Sequence, residues 1–503
     1  MKVGDAMFKK MINLLKGGLY KLGILKYVKE LDELEDIAIN DEAYDLIEQW
    51  KSLYRGYYPD WHDITYHTIE GTKSRRMDTL NMAKTSAQEM ASLVFNEKCE
   101  ISIGDNENET AKFIFDVFKS NKFNKKFQDY LEYMFAHGGM VMKPYVQDGQ
   151  IKISFVTADC FIPISWENDR ITEGVFINET RKGKKYYTLL EWHVWENGVY
   201  TVKNELYESE NANDLGRPAP LDTLYPNLDA VVGFPKLEKP LFVYFKPNTA
   251  NNFDTQSPLG ISLYANALSI MKAIDTAFDS LHREFRLGKK RIFVPDSMVK
   301  VVYDQDGRPH RYFDPSDEVY QGYPGDMDET TIHDVKVELR VEEHIAAINA
   351  MLNIFAMQTG FSSGTFTFDG QSVKTATEVV SENSKTFKSK QSHEIIIEAG
   401  LIELIESILA LAELYGLHTA KEDLEISIAF DDSVAEDKNA EIDKNIKLVN
   451  AELISRKRAI MKVLGVTEEE AQEILQEITE EQRMGAPDLQ ELQAESVLFG
   501  DQE

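Results

Sequence analysis

Cysteine is almost missing from this chain. Cys99 and Cys160 are the only two, too few and too far apart for a disulfide framework or a four-ligand zinc site, and a reducing compartment is expected. None of the histidines falls in an H-E-x-x-H motif; His62 and His67 read as surface or turn residues rather than metal ligands. There is no P-loop and no G-x-G-x-x-G after a strand, so the backbone phosphate cradles of an ATPase are lacking. No stretch reaches about 18 uninterrupted apolar residues, which excludes a transmembrane helix. Residues 7–31, MFKKMINLLKGGLYKLGILKYVKEL, have the basic flavour of a signal peptide, but Lys16, Lys21 and Lys26 interrupt them and no A-x-A cleavage pattern follows. A soluble protein not secreted by this route is expected. Bases are also short: 55 Lys and Arg against 85 Asp and Glu give a net charge of −30. Such a surface repels phosphate backbones, excluding tight wrapping of nucleic acid and leaving only passing contact open.

What is present is enough for a large core. A length of 503 residues allows about two to four domains. The lysine-rich arm places Met11, Leu14, Leu15, Leu19, Leu22, Ile24 and Leu25 as an amphipathic helix weakened by Gly17, Gly18 and Gly23. It has two readings: a helix packed on its own protein, or one that docks on a membrane or partner. The run DTLNMAKTSAQEMASLVFNE spaces Leu80, Ala83, Ala87, Met90, Ala91 and Val94 at helical intervals, with small residues on the apolar face. A helix over about 110–136 ends at His137-Gly138-Gly139. From Cys99 to about Tyr244 short β runs dominate, and Asp148-Gly149 and Asn197-Gly198 mark hairpin turns.

Ser257-Pro258 predicts a helix N-terminus, with the helix running to Gly288. Tyr264, Leu268, Met271, Ile274, Phe278, Leu281 and Phe285 form its stripe, with Asn266, Lys272, Asp279, Arg283 and Arg286 largely off it. Lys289, Lys290 and Arg291 follow, either closing the helix electrostatically or touching phosphates. Residues 291–338 read as a small strand-and-turn module with a hairpin at Asp306-Gly307. A second helix begins near Val341 with Ile345, Ile348, Leu352 and Phe355 on one side and stops at Thr359-Gly360. After a Gly/Ser/Thr/Phe loop, Thr375-x-x-Glu378 has capping-box spacing and heads a helix to about Tyr415, polar in its first half and apolar in its second. The strand LEISIAF, short acidic helices over 434–482 and a solvated acidic tail complete the chain.

The loop after the second helix contains Gly360-Phe361-Ser362-Ser363-Gly364, a G-x-S-x-G. In a hydrolase this serine follows a buried strand and precedes a helix. Here a helix precedes it, and Thr365-Phe366-Thr367-Phe368 alternates like an extended segment. His393 and His418 lie downstream without a recognisable setting. The alternative to a serine nucleophile at Ser362 is a mobile part of a machine.

The order of these parts, with Thr375-Ala376-Thr377-Glu378-Val379 and the run from Asn81 to Glu97 as the most recognisable stretches, resembles the portal proteins of tailed bacteriophages, in the branch found in phages of Gram-positive bacteria. The resemblance covers nearly the whole chain. It implies an α+β portal fold with wing, stem, clip and crown, whose long helices surround the central channel of a homo-oligomeric ring of about twelve subunits. The ring sits at one capsid vertex, in the virion and, during assembly, in the host cytoplasm, and double-stranded DNA passes through it in packaging and ejection. The chain itself is then not an enzyme and needs no cofactor or metal. Its partners are the terminase large subunit, a head-completion or adaptor protein, and major capsid and scaffolding proteins, with no stable membrane insertion.

Laid on this sequence, the resemblance places an N-terminal arm at 1–44, wing at 45–256, first stem helix at 257–287, clip at 288–340 and second stem helix at 341–358. The tunnel loop follows at 359–374, the wing's spine helix and strand at 375–433, the crown at 434–485 and an acidic tail at 486–503. The DNA-facing loop residues are Gly360, Phe361, Ser362, Ser363, Gly364, Thr365, Phe366, Thr367, Phe368, Asp369, Gly370 and Lys374; candidate channel cations are Arg283, Arg286, Lys289, Lys290 and Lys385. Twelve helices about 10 Å wide, set side by side, leave a bore of roughly 28 Å, a little wider than a duplex of about 20 Å. An acidic wall would let DNA slide.

Overall fold

The computed structural model describes residues 42–68, 71–104, 108–168, 170–212, 215–288, 291–295, 301–303, 309–311, 320–323, 333–335, 338–368, 376–420, 425–430, 438–451, 453–464, 466–467, 471–472 and 474–479. The expected basic arm and the acidic tail fall outside these residues. The chain divides into two compact units, Met1–Asp369 with Lys388–Asp431, and Gly370–Phe387 with Asp432–Glu503. Both helices and strands are abundant, in an α+β arrangement.

The first unit opens with helix α1 (Glu42–Tyr54), which buries Tyr44, Ile47, Trp50 and Leu53 at helical spacing. A helical turn at Pro59–His62 leads into the hairpin β1 (Asp63–Thr68) and β2 (Gly71–Arg76). Helix α2 (Met82–Val94) starts at Asn81, whose side chain accepts the Lys84 amide, and buries Ala83, Ala87, Met90, Ala91 and Val94. This small-residue face lets α2 approach helix α4 (Phe123–His137) closely. Strand β3 (Glu100–Ile103) and helix α3 (Glu109–Asn121) precede α4. The single helix expected over 110–136 is therefore two, because Lys122 at φ +53° breaks the hydrogen-bond ladder between α3 and α4. The apolar periodicity hides the break, since Phe118 and Phe123 stack on each other across it at 4.3 Å. Gly138, at φ +86°, closes α4 as predicted.

Three sheets follow. β4 (Met140–Gln147), β5 (Gln150–Thr157) and β12 (Val243–Phe245) pair in the order β12-β4-β5. β6 (Phe161–Glu167), β7 (Arg170–Lys182), β8 (Lys185–Glu196), β9 (Val199–Ser209) and β10 (Arg217–Ala219) form an antiparallel meander, with β11 (Val231–Phe234) also on β9. Both expected hairpins occur: Gln147 pairs with Gln150 and Glu196 with Val199, with all four turn residues at positive φ, the geometry that matches strand twist. β3 pairs with β18 (Ile426–Ala429), the strand LEISIAF.

Helix α5 (Leu268–Leu287) is shorter than its sequence suggests. Residues 257–262 are irregular, a turn at 263–264 leads into a single 3-10 turn over Ala265–Ala267, and Ser257-Pro258 does not cap a helix. Two amides of this segment have distant partners, Leu263 donating to the Phe135 carbonyl at 2.8 Å and Gly260 to the Tyr244 hydroxyl at 3.4 Å, while Leu259 and Tyr264 donate to the nearby Ser257 and Ser262 hydroxyls. The small module contains β13 (Arg291–Pro295), β14 (Val301–Tyr303), β15 (Pro309–Arg311), β16 (Tyr320–Tyr323) and β17 (His333–Val335). β13 pairs parallel with β16 and antiparallel with β17, and β14 pairs antiparallel with β15, Tyr303 facing Pro309; the expected turn at Asp306-Gly307 lies outside the described residues. Helix α6 (Val341–Gln358) matches expectation, as does α7 (Ala376–Leu414), whose apolar part buries Ile397, Leu401, Leu404, Ile405 and Ile408 in the main core. The second unit contains α8 (Lys438–Asn450), α9 (Arg456–Leu464) and the helical residues 474–479, around an apolar groove that includes Ile446, Ile460 and Leu475.

A buried polar chain ties β4 to the meander. The Lys143 ammonium lies 2.5 Å from Glu191 Oε1, and His193 Nε2 is 2.7 Å from the same oxygen. His193 Nδ1 is 2.7 Å from the Tyr200 hydroxyl, which accepts the Leu241 amide at 3.0 Å. Burial keeps the imidazole neutral, so Nε2–H donates to Glu191 and Nδ1 accepts from Tyr200, which satisfies every member. Burial pushes the Glu191 carboxyl up, but the Lys143 ammonium and the His193 N–H outweigh it and hold it well below the usual carboxylate range. Replacing Lys143 by Met strands that carboxylate and is expected to cost about 3–5 kcal/mol. A Lys143→Met, Glu191→Gln double variant recovers part of the loss, read from urea midpoints.

His137 sits between Tyr54 and Tyr133, and neither ring nitrogen has a hydrogen-bond partner among the described residues. Burial lowers its pKa to about 4, and burial does the same to His393. Unfolded, each titrates near 6.5, so between those values the unfolded chain binds more protons. Their contribution is complete above pH ~6.5 and lost as pH falls towards 4, on the order of 3 kcal/mol for each. A His137→Phe variant should therefore melt higher than the wild type at pH 5, with a smaller gain at pH 7.5.

Candidate functional site

Helices α5 and α6 pack on each other. Glu284 near the end of α5 accepts both arms of Arg340, at 3.0 and 2.8 Å, and lies 3.5 Å from His344 at the start of α6. The two helices thus run antiparallel. The Arg340 guanidinium holds the Glu284 carboxyl down to about 2.

The buried face of α5 is not purely apolar. Beside Met271 and Ile274 it carries Asp275 and Asp279. Asp275 accepts the Thr79 hydroxyl at 2.8 Å and the Leu80 amide at 3.0 Å, with His62 Nε2 at 3.2 Å. Asp279 accepts both guanidinium nitrogens of Arg75 at 2.6 Å and the Asp78 amide at 3.2 Å. Two expectations are corrected here. Asp279 is not off the packed face, and His62 is not a surface residue; each is buried because its partner is a hydrogen-bonding group on the other element. His67 is exposed, 3.0 Å from Thr72 Oγ1. These bonds pin the β1–β2 hairpin and residues 77–80 to α5. The outward face of α5 carries Ser269, Lys272, Thr276, Ser280, Arg283 and Arg286.

The loop after α6 is more ordered than its composition suggests. Gly360 takes φ +85°, and the Phe361 amide donates to the Ala356 carbonyl at 2.8 Å, the six-to-one bond of a Schellman closure. That motif places an apolar residue directly after the glycine against the helix end, and Phe361 is fully buried. Its ring lies 4.9 Å from Phe366, which lies 5.8 Å from Phe355. The expectation of an exposed Phe361 is therefore corrected, and the signal was the Gly360-Phe361 pair itself. Ser362 is buried, Gly360, Phe366 and Thr367 are half-buried, and Ser363, Gly364, Thr365 and Phe368 are exposed. Residues 363–366 form turns, with the Thr365 hydroxyl on the Ser362 carbonyl at 2.7 Å, in place of the expected extended run. Two asparagines one turn apart on α6 also hold the loop: Asn353 Oδ1 accepts the Gly364 amide at 2.7 Å and Asn349 Oδ1 the Phe368 amide at 2.9 Å. Sequence reading missed them; the available signal was asparagine, a poor helix former, twice in an apolar helix. Lys385 is exposed. Lys289, Lys290, Asp369, Gly370 and Lys374 lie outside the described residues.

This geometry does not make a hydrolase. Ser362 follows a helix end rather than a strand. His393 Nδ1 accepts the Asn248 amide at 3.0 Å, and His418 Nε2 is 2.9 Å from Thr110 Oγ1 while its ring stacks on Phe113. Among the described residues no three His, Cys, Asp or Glu side chains converge as metal ligands, and no helix is long and apolar enough to cross a membrane.

A family model described as phage portal protein, SPP1 Gp6-like, matches residues 34–484. The chain belongs to this family of phage portal proteins. No curated protein matches it. The match runs through α5, the small module, α6, the loop and α7, so the whole layer built above lies inside the portal family region. Most of the lysine-rich arm precedes it.

In this portal protein two loop glycines are needed for different reasons. At Gly364, φ is +88° with open space around it, so Gly364→Ala meets only backbone strain, about 1–2 kcal/mol. At Gly360 an added Cβ would also meet Ser389 Oγ at 2.4 Å, so Gly360→Ala should be the more damaging, as a comparison of urea midpoints will show.

Proposed function

We propose that this portal protein assembles side by side into a closed ring of about twelve copies, through which double-stranded DNA enters and leaves the capsid. The reading rests above all on helix α6. Its inner face buries Ile348, Leu352, Phe355 and Ala356, yet its outer face carries Ala346, Ala347, Ala350, Ile354 and Met357, the last two 43% and 57% exposed. A helix apolar all round is normally covered all round, and a bare apolar stripe marks an interaction surface. Neighbouring copies would supply the cover.

In this reading α5 and α6 are the stem and residues 288–340 the clip that meets the terminase large subunit and the head-completion protein. Residues 359–374 are the tunnel loop, and 45–256 with the helix and strand over 375–433 are the wing. Residues 434–485 are the crown, near capsid and scaffolding proteins, and 486–503 an acidic tail. The energy for DNA movement comes from a separate ATP-driven motor, so the chain itself needs no cofactor and performs no covalent chemistry. The net charge of −30 keeps the wall from gripping the duplex. Arg283, Arg286, Lys289, Lys290 and Lys385 would give weak, repeated phosphate contacts, and Ser363, Gly364, Thr365, Phe368, Asp369, Gly370 and Lys374 the reach of the loop. Gly360 and Phe361 act as its foot, with Ser362 buried beside them.

Electron microscopy of the purified protein should show rings with an axial opening wider than a duplex of about 20 Å. An Ile354→Asp, Met357→Asp variant should keep its fold by circular dichroism and lose the rings in sedimentation. Intact rings in that variant would refute the proposed use of α6.

A further inference from the structure

We infer that Asn349 and Asn353 are positioning residues that latch the loop after α6 in one pose and so set how far it extends; the inference rests on reading that loop as the DNA-facing one. Both carboxamide oxygens point at loop amides, Asn353 at Gly364 and Asn349 at Phe368, at 2.7 and 2.9 Å. The two asparagines are one helical turn apart, so they share a face of α6. Asn349 is 8% exposed in a helix otherwise made of apolar and small residues over 345–352.

The described part of the loop is thereby divided in two. Its foot, Gly360 and Phe361, is fixed by the Schellman bond and by burial of the Phe361 ring. Its second part, Ser363 to Phe368, rests on internal bonds from Thr365 to the Ser362 carbonyl and from Thr367 to the Gly364 carbonyl, and on the two asparagines. Phe368, 53% exposed, stands at the end of the latched part. The foot holds the chain to the helix whether or not the latch is closed. Neutral hydrogen bonds of this kind open and close reversibly, and opening both frees the end of the loop at Phe368 while the Phe366 ring keeps its contacts with Phe361 and Phe355. A closed latch keeps Phe368 near α6, and an open one lets it reach further from the helix.

The test uses the full chain as assembled rings. Asn349→Leu with Asn353→Leu removes both acceptors, while Asn349→Asp with Asn353→Asp keeps an acceptor oxygen at each place. Amide hydrogen exchange over 361–368 reads the latch without DNA; the Leu pair should exchange about tenfold faster than wild type at Gly364 and Phe368, and the Asp pair should stay near wild type. In a packaging reaction with the motor, the Leu pair should assemble and translocate but retain less packaged DNA, with retention restored in the Asp pair. Unchanged exchange in the Leu pair overturns the latch, as does faster exchange with wild-type retention. Wild-type rings that pass no DNA would count against the portal reading instead, and the exchange arm still decides whether the latch exists.

Discussion

Helix α6 carries apolar side chains on two sides, buried on one and exposed on the other. Its inner side is spent on Phe355 and Leu352 in the main core, where each large side chain contributes about 1.5–3 kcal/mol. Its outer side carries the exposed Ala346, Ala347, Ala350, Ile354 and Met357. A monomer with such a stripe is prone to associate, and small residues at its start favour close approach by another helix. The antiparallel partner α5 shows the opposite: its outward face is hydroxylated and basic, and its inward face carries two carboxylates. The two helices of one layer therefore present different chemistry to their surroundings.

Buried polar groups do the positioning that apolar packing cannot. Apolar contact is non-directional, so by itself it would let the β1–β2 hairpin slide along α5. Asp275 and Asp279 prevent this, because a buried carboxylate tolerates only the register in which its donors are met. Lys143, Glu191, His193 and Tyr200 fix the angle between two sheets by the same logic. Asn349 and Asn353 apply it a third time, to a loop rather than to a sheet. In all three places at least one of the polar side chains comes from a regular element and fixes a second segment against it.

Legibility in the sequence followed the range of the interaction. Helices α2, α6 and α7 and the turns at Asp148-Gly149 and Asn197-Gly198 were readable, because capping, periodicity and positive φ act within a few residues. The break at Lys122 was not: apolar residues continue at helical spacing on both sides, and the stacking of Phe118 on Phe123 compensates for the interruption. Ser257-Pro258 misled because the segment after it is held by local serine hydroxyls and by the distant Tyr244 and Phe135 instead of by a helical ladder. In the candidate site the loop was located by its glycines, but its internal order was not. Phe361 looks like any loop phenylalanine until the helix end is closed by Gly360, and neither asparagine has a local reason to be an acceptor.

The amino-acid sequence by itself determined the negative charge, the absence of nucleotide and metal motifs, the order of helix, strand module, helix and loop, and through that order the portal family. These are properties of composition and short-range pattern, and they survive without coordinates. Only the tertiary structure decided which carboxylates are buried, which face of α6 is exposed, and that the glycine-rich loop is anchored and hydrogen-bonded to α6 in its first part. Each of those depends on groups distant in sequence meeting within about 3 Å, and neither propensity nor periodicity carries information about that meeting.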